Sequence, residues 1–199
     1  MCAAAGSRRP ARTPIFESYR STHHPDAAIR LPLAAAYLNG ELDDQAARRT
    51  LRHRDRVLWL EMESSSLAGI LIEPLASACP TKTFILTIRD VYSWCDSWIN
   101  HNLSRPPSHS AAFATLDQLR LRVADFEPTR FDAPLIARGC SPLACFFQLL
   151  ADHNERVIET VPSSRLLIVP TSTISTRLPE IATWAGVPLE TLRADRIWL

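Results

Sequence analysis

Ile88-Arg89-Asp90-Val91-Tyr92-Ser93-Trp94-Cys95-Asp96-Ser97-Trp98 is the stretch on which the reading of this chain turns. It follows Lys82-Thr83-Phe84-Ile85-Leu86-Thr87, so 83–88 is an apolar, β-branched run of strand length. The residues after it, with Trp94 and Trp98 four apart, predict an amphipathic helix over 91–103. Arg89 therefore stands at the carboxyl end of a strand, and Ser97 lies eight positions on, along the helix. In open α/β sheets ligands bind just beyond the carboxyl ends of the strands. An arginine there, beside a helix N-terminus, suits a phosphate or another planar anion. Alone, an Arg and a Ser at this spacing fit an ordinary strand-to-helix corner better, with a surface ion pair and a solvated hydroxyl. The rest of the chain has to carry the argument.

At 199 residues the length predicts a single domain, 1–199, able to bury one substantial core. The net charge of +1 gives no global case for nucleic acid or a membrane surface as partner. Lys82 is the only lysine, so nearly all the positive charge is arginine, the better bidentate partner of phosphate and sulfate. A GC-rich coding bias would produce the same excess of Arg, Ala and Pro. The five cysteines, Cys2, Cys79, Cys95, Cys140 and Cys145, are odd in number and contain no CxxC pair. They are expected to be reduced thiols of a cytoplasmic protein. The first thirteen residues hold no apolar core of signal-peptide length, no run approaches a membrane span, and the six histidines form no zinc-ligand pattern.

Outward from the central stretch, 56–62 (Arg-Val-Leu-Trp-Leu-Glu-Met) reads as a buried strand. A helix capped by Ser64 is expected to follow as far as Ser77, kinked or interrupted by Pro74. Helices are predicted over 111–125 and 142–161, with irregular chain between them at 126–139. The run 165–169 reads as a third buried strand, and a helix starting at Ser172 or Thr173 should end near Gly186. Strands alternating with helices, and apolar throughout, predict an α/β domain in three layers, a parallel sheet flanked by helices. The pattern also allows a flavodoxin-like sheet.

The strand, Arg-Asp and helix with Ser97 resemble the 3′-phosphate motif of sulfotransferases that use PAPS (3′-phosphoadenosine 5′-phosphosulfate). The run TFILTIRDVYSWCDSWINH is similar to the bacterial natural-product branch of that family in particular. The resemblance is best over 57–101, moderate over 165–186, and poor at both ends. It implies a P-loop nucleoside-phosphate fold, with Arg89 and Ser97 on the 3′-phosphate of PAPS or PAP (3′-phosphoadenosine 5′-phosphate). The family's phosphate loop typically runs basic, Ser, Gly, Thr, Thr. Here Gly6-Ser7-Arg8-Arg9-Pro10-Ala11-Arg12-Thr13 offers Arg9 at the basic position and Thr13 at the last, with Pro10, Ala11 and Arg12 between. Pro10 has no N–H for a phosphate cradle, and Ala11 resists backbone conformations that glycine takes freely. Arg8, Arg9 and Arg12 would compensate by charge; otherwise the segment is a basic tail. Arg193 and Arg196 are the available substitutes for a late basic segment that clasps the 3′-phosphate in better-known relatives.

Some sulfotransferases carry the base that deprotonates the acceptor near the end of the strand at 56–62. Glu61 and Glu63 are the carboxylates available there, expected to share one face of a strand and to be partly desolvated by Trp59 and Met62. Each is equally suited to capping the next helix or pairing with an arginine. His101 is a weaker alternative base, and Trp94 and Trp98 read as core more readily than as an adenine platform. The resemblance thus implies sulfuryl transfer from PAPS to a hydroxyl or amine of a small secondary metabolite, with Arg9 meeting the developing charge and no metal required. The main rival is a family member impaired in catalysis that serves as a binding or scaffold module. A P-loop kinase using ATP fits poorly, since Lys82 lies at the wrong end of its strand.

Overall fold

The computed structural model describes residues 21–23, 27–104 and 111–192. Strand β1 (Ser21–His23) is followed by helices α1 (Ala27–Leu38) and α2 (Asp44–Leu58), then strand β2 (Met62–Ser64). Helices α3 (Leu67–Ile70) and α4 (Ile72–Ala78) lead into β3 (Phe84–Ile88) and α5 (Val91–Ser104). Next come α6 (Ala111–Leu121), the single turn α7 (Ala133–Ile136) and the long α8 (Leu143–Thr160). Strand β4 (Leu166–Pro170) and α9 (Leu178–Ala185) complete the described strands and α-helices.

Both strand pairings are parallel: β1 with β2, and β3 with β4 in the register Phe84↔Leu166 to Ile88↔Pro170. Among the described residues these form two separate two-stranded sheets. The class is therefore α/β with parallel pairing. Each face of the β3–β4 pair packs against helix. Leu86 meets Ile72 and Ala76 of α4 and Val157 of α8 on one side. On the other, Leu167 and Val169 meet Leu178, Ile181 and Ala182 of α9, and Met62 of β2 joins them. A further core gathers Leu31 and Ala34 of α1, Leu51 of α2, Leu67 and Ile70 of α3, and Leu116 of α6.

Several expected boundaries move. The strand anticipated at 56–62 is instead the last turn of α2 as far as Leu58, and the strand itself is Met62–Ser64. The cause is the strength of α2. Asp43 caps it, accepting from the Ala46 N–H at 2.7 Å, and Ala47, Leu51 and Arg54 form its buried face. It ends at Trp59, which takes the left-handed conformation at φ 52°. The helix anticipated from Ser64 breaks at Leu71 rather than at Pro74, which lies in the first turn of α4, where its missing N–H costs nothing. Ser65, not Ser64, bonds the helix start, accepting from the Leu67 N–H. The strands are not buried on both sides throughout: Ile85, Thr87, Ile168 and Pro170 are exposed. The helix anticipated over 111–125 ends at Leu121, with Arg122 left-handed before a 3-10 turn at Val123–Asp125. The helix anticipated from Ser172 is a 3-10 turn at Thr171–Thr173, followed by α9 from Leu178. As expected, Gly186 closes α9 in the left-handed region, at φ 66°.

Three polar side chains tie these elements together. Buried Asp132 accepts from the Thr129 N–H and hydroxyl through one oxygen and from the Leu143 N–H through the other, docking 129–132 onto the start of α8. Arg165 donates to the carbonyls of Cys79 (2.7 Å) and Lys82 (2.9 Å) and lies over the Phe84 ring, so it closes the carboxyl end of α4. Arg177 grips Glu180 with two N–H groups and gives a third to the Ile168 carbonyl at 2.8 Å.

Candidate active site

The β3–α5 corner is built as the sequence suggests. Arg89 follows the last residue of β3 directly, and Asp90 precedes the first residue of α5. Asp90 caps the helix: its Oδ1 accepts from the Ser93 N–H at 2.9 Å. Its carboxylate therefore occupies the helix N-terminus, and an anion at this corner would rest on side chains more than on the helix dipole. Half-buried Arg89 donates from Nε to Ser93 Oγ at 3.2 Å. The Ser93 hydroxyl in turn donates to the Asp90 carbonyl at 3.1 Å. Among the described residues Arg89 makes no other hydrogen bond or ion pair, so Nη1 and Nη2 are uncommitted. Ser97 lies one turn beyond Ser93 on the same helix face and is exposed. Ser93 escaped the sequence reading, although its spacing of four from both Arg89 and Ser97 is visible there.

The two candidate carboxylates do not share one strand face. Glu61 lies before β2 and is exposed, whereas Glu63 is inside it and half-buried. Glu63 is 2.8 Å from the guanidinium of buried Arg54, reaching across from α2. Nor does Trp59 shield them, being 66% exposed, while Met62 packs toward α9. Arg8, Arg9, Arg12 and Thr13 lie outside the described residues, as do Arg193 and Arg196.

Along α5, Trp94 and Trp98 lie 5.2 Å apart and pack on buried Cys95, Leu121, Cys145 and Phe146. Arg120 covers Trp98 at 4.7 Å. This pair is core, not a platform for a base. His101, in the last turn, is exposed. Cys79, Cys95, Cys140 and Cys145 are free thiols, and burial pushes Cys79, Cys95 and Cys145 above the usual thiol range. Among the described residues no cluster of three His, Cys, Asp or Glu side chains is arranged to hold a metal, and no helix is long and apolar enough to cross a membrane.

A family model described as a sulfotransferase domain matches residues 19–173. The chain belongs to that family. The matched span of this sulfotransferase domain takes in Arg89, Ser93, Ser97, Glu61 and Glu63, and begins after Arg8, Arg9, Arg12 and Thr13. Family membership makes the chain a transferase of the sulfuryl-transfer class. No curated protein matches the chain, and no solved structure matches it.

Proposed function

We propose that this is a cytoplasmic, PAPS-dependent sulfotransferase of P-loop fold, acting on a hydroxyl or amine of a small, secondary-metabolite acceptor. The observation that carries the reading is Arg89. It stands at the carboxyl end of a parallel strand, with both terminal nitrogens uncommitted among the described residues, in a chain matched to the sulfotransferase domain. A planar guanidinium offering two N–H groups suits a dianionic phosphate, and Ser97 supplies a neutral donor on the same helix face. In this scheme Arg89 and Ser97 hold the 3′-phosphate, while Arg8, Arg9, Arg12 and Thr13 receive the 5′-phosphosulfate. PAPS supplies the sulfuryl group. A bond from sulfur to the acceptor oxygen or nitrogen forms as the sulfur–oxygen bond to the 5′-phosphate breaks and PAP leaves, and the acceptor's proton passes to Glu61 or Glu63. Glu63 would do so from within its ion pair with Arg54, and Glu61 from a more open position.

Titration of the purified chain with PAP and PAPS by calorimetry, followed by turnover with a panel of phenolic and alcoholic acceptors, tests the proposal. Saturable binding of both nucleotides and release of PAP are expected, and absence of nucleotide binding would sink it.

The impaired binding module remains the second reading. It is favoured by Pro10, Ala11 and Arg12 in the loop and by a family match that starts only at residue 19. The two readings part at Arg9. In an active enzyme Arg9→Ala lowers turnover far more than PAP affinity, because charge develops at the sulfuryl group and the 3′-phosphate is anchored elsewhere. Binding of PAPS without turnover by the unaltered chain would decide for the module.

A further inference from the structure

We infer that Ser93 is a positioning residue for Arg89, an inference that rests on the anion-binding reading above. An arginine just past a strand has several rotatable bonds and loses side-chain entropy when a ligand fixes it. Here part of that cost is met before any ligand arrives. The Ser93 hydroxyl has one proton and two lone pairs. The proton goes to the Asp90 carbonyl, which leaves the lone pairs to accept the Arg89 Nε–H. Asp90 holds Ser93 a second time by accepting its backbone N–H. The hydroxyl is thus fixed by the helix cap, and the guanidinium is fixed by the hydroxyl.

The choice of nitrogen matters. With Nε engaged, the edge left for an anion is the terminal pair, Nη1 and Nη2. Arg177 shows the other arrangement in the same chain, spending Nε and Nη2 together on Glu180. Ser93 therefore selects which edge of Arg89 is offered, and Ser97 lies one turn further along the same face. Ser93 is not assigned a contact with the anion; it acts through Arg89.

Two measurements test this. In nitrogen-15 spectra of the ligand-free protein, the Arg89 Nε–H should give a resolved, slowly exchanging signal, identified by its loss in Arg89→Lys. It should be lost in Ser93→Ala and kept in Ser93→Thr. In calorimetry, Ser93→Ala should weaken PAP binding by about two- to tenfold, because Arg89 must then be ordered by the ligand itself, and Ser93→Thr should restore it. Both variants should melt close to the parent, since Asp90 caps the helix through the backbone N–H of residue 93 whatever its side chain. Unchanged PAP affinity in Ser93→Ala would overturn the inference and leave the anion site standing. Weaker binding with the Arg89 signal intact would also overturn it, since Ser93 would then touch the phosphate itself. No binding of PAP by the parent protein defeats the PAPS-dependent reading, and a signal still dependent on Ser93 would show that the latch exists apart from that ligand.

Discussion

At Arg89 a charged contact is set against a neutral one. A guanidinium on a phosphate contributes about 1.5–3 kcal/mol, and a lone hydroxyl about 1 kcal/mol. Arg89→Ala should therefore weaken PAP binding at least tenfold, and Ser97→Ala about fivefold. Calorimetry on the two variants ranks them, and a larger loss at Ser97 would reverse the roles. His153 of α8 makes a different residue-scale prediction. Its imidazole lies so close to Gly69 of α3 that a Cβ there would overlap the ring. Burial first, then the nearby Arg156 and Arg120, holds its pKa below 6.5. The unfolded chain takes up a proton near pH 6.5 while the folded one resists it. The stability is thus complete above that pH and is lost as pH falls toward the folded value. Melting temperature should drop as pH falls below about 6.5, and less steeply in His153→Gln; equal slopes would exclude His153 as the cause. At this scale the positions of Arg89, at a strand end, and Ser97, on the helix after it, were legible in the sequence, because strand and helix periodicities fix where a corner falls. Ser93 was not, because a hydroxyl's partner depends on side-chain directions that spacing does not report.

At the scale of elements, Arg165 joins one helix to one strand pair. Its guanidinium closes the α4 carboxyl end through the Cys79 and Lys82 carbonyls and covers Phe84 of β3. Arg165→Ala should cost about 1–3 kcal/mol in urea denaturation. Arg165→Lys should recover little, since one ammonium cannot span carbonyls that the planar fork reaches together. Full recovery with lysine would mean that only charge at the helix end matters. The strands at 84–88 and 166–170 were readable because each is a short apolar run bounded by turn residues. The one anticipated at 56–62 was not, and Arg54 shows why. A core-facing helix position is filled by a charged residue paired with Glu63, so the apolar period of α2 is interrupted just where the run Val57-Leu58-Trp59-Leu60 imitates a strand. Two carboxylates anticipated on one strand face were separated by the same shift in boundary.

Over the whole molecule, parallel pairing and helices packed on both faces of β3–β4 were legible, since apolar strands alternating with helices have few other arrangements. The separation of the described strands into two pairs was not, because strand order is set by long-range packing rather than local pattern. One consequence of the Arg177 clamp reaches beyond the single chain. Strand β4 has β3 as its one strand neighbour among the described residues, so its far side is a place where a second molecule's backbone would add on. The Ile168 carbonyl, one of the groups such an addition needs, is already taken by Arg177, itself held by Glu180. Arg177→Ala should leave the isolated protein folded yet make it self-associate, visible as light scattering that rises with concentration and faster than for the parent. Equal scattering would mean that something else guards the strand. Colloidal behaviour, on this view, hangs on an arginine just past the end of β4 and outside every role in chemistry: it keeps copies of the protein apart.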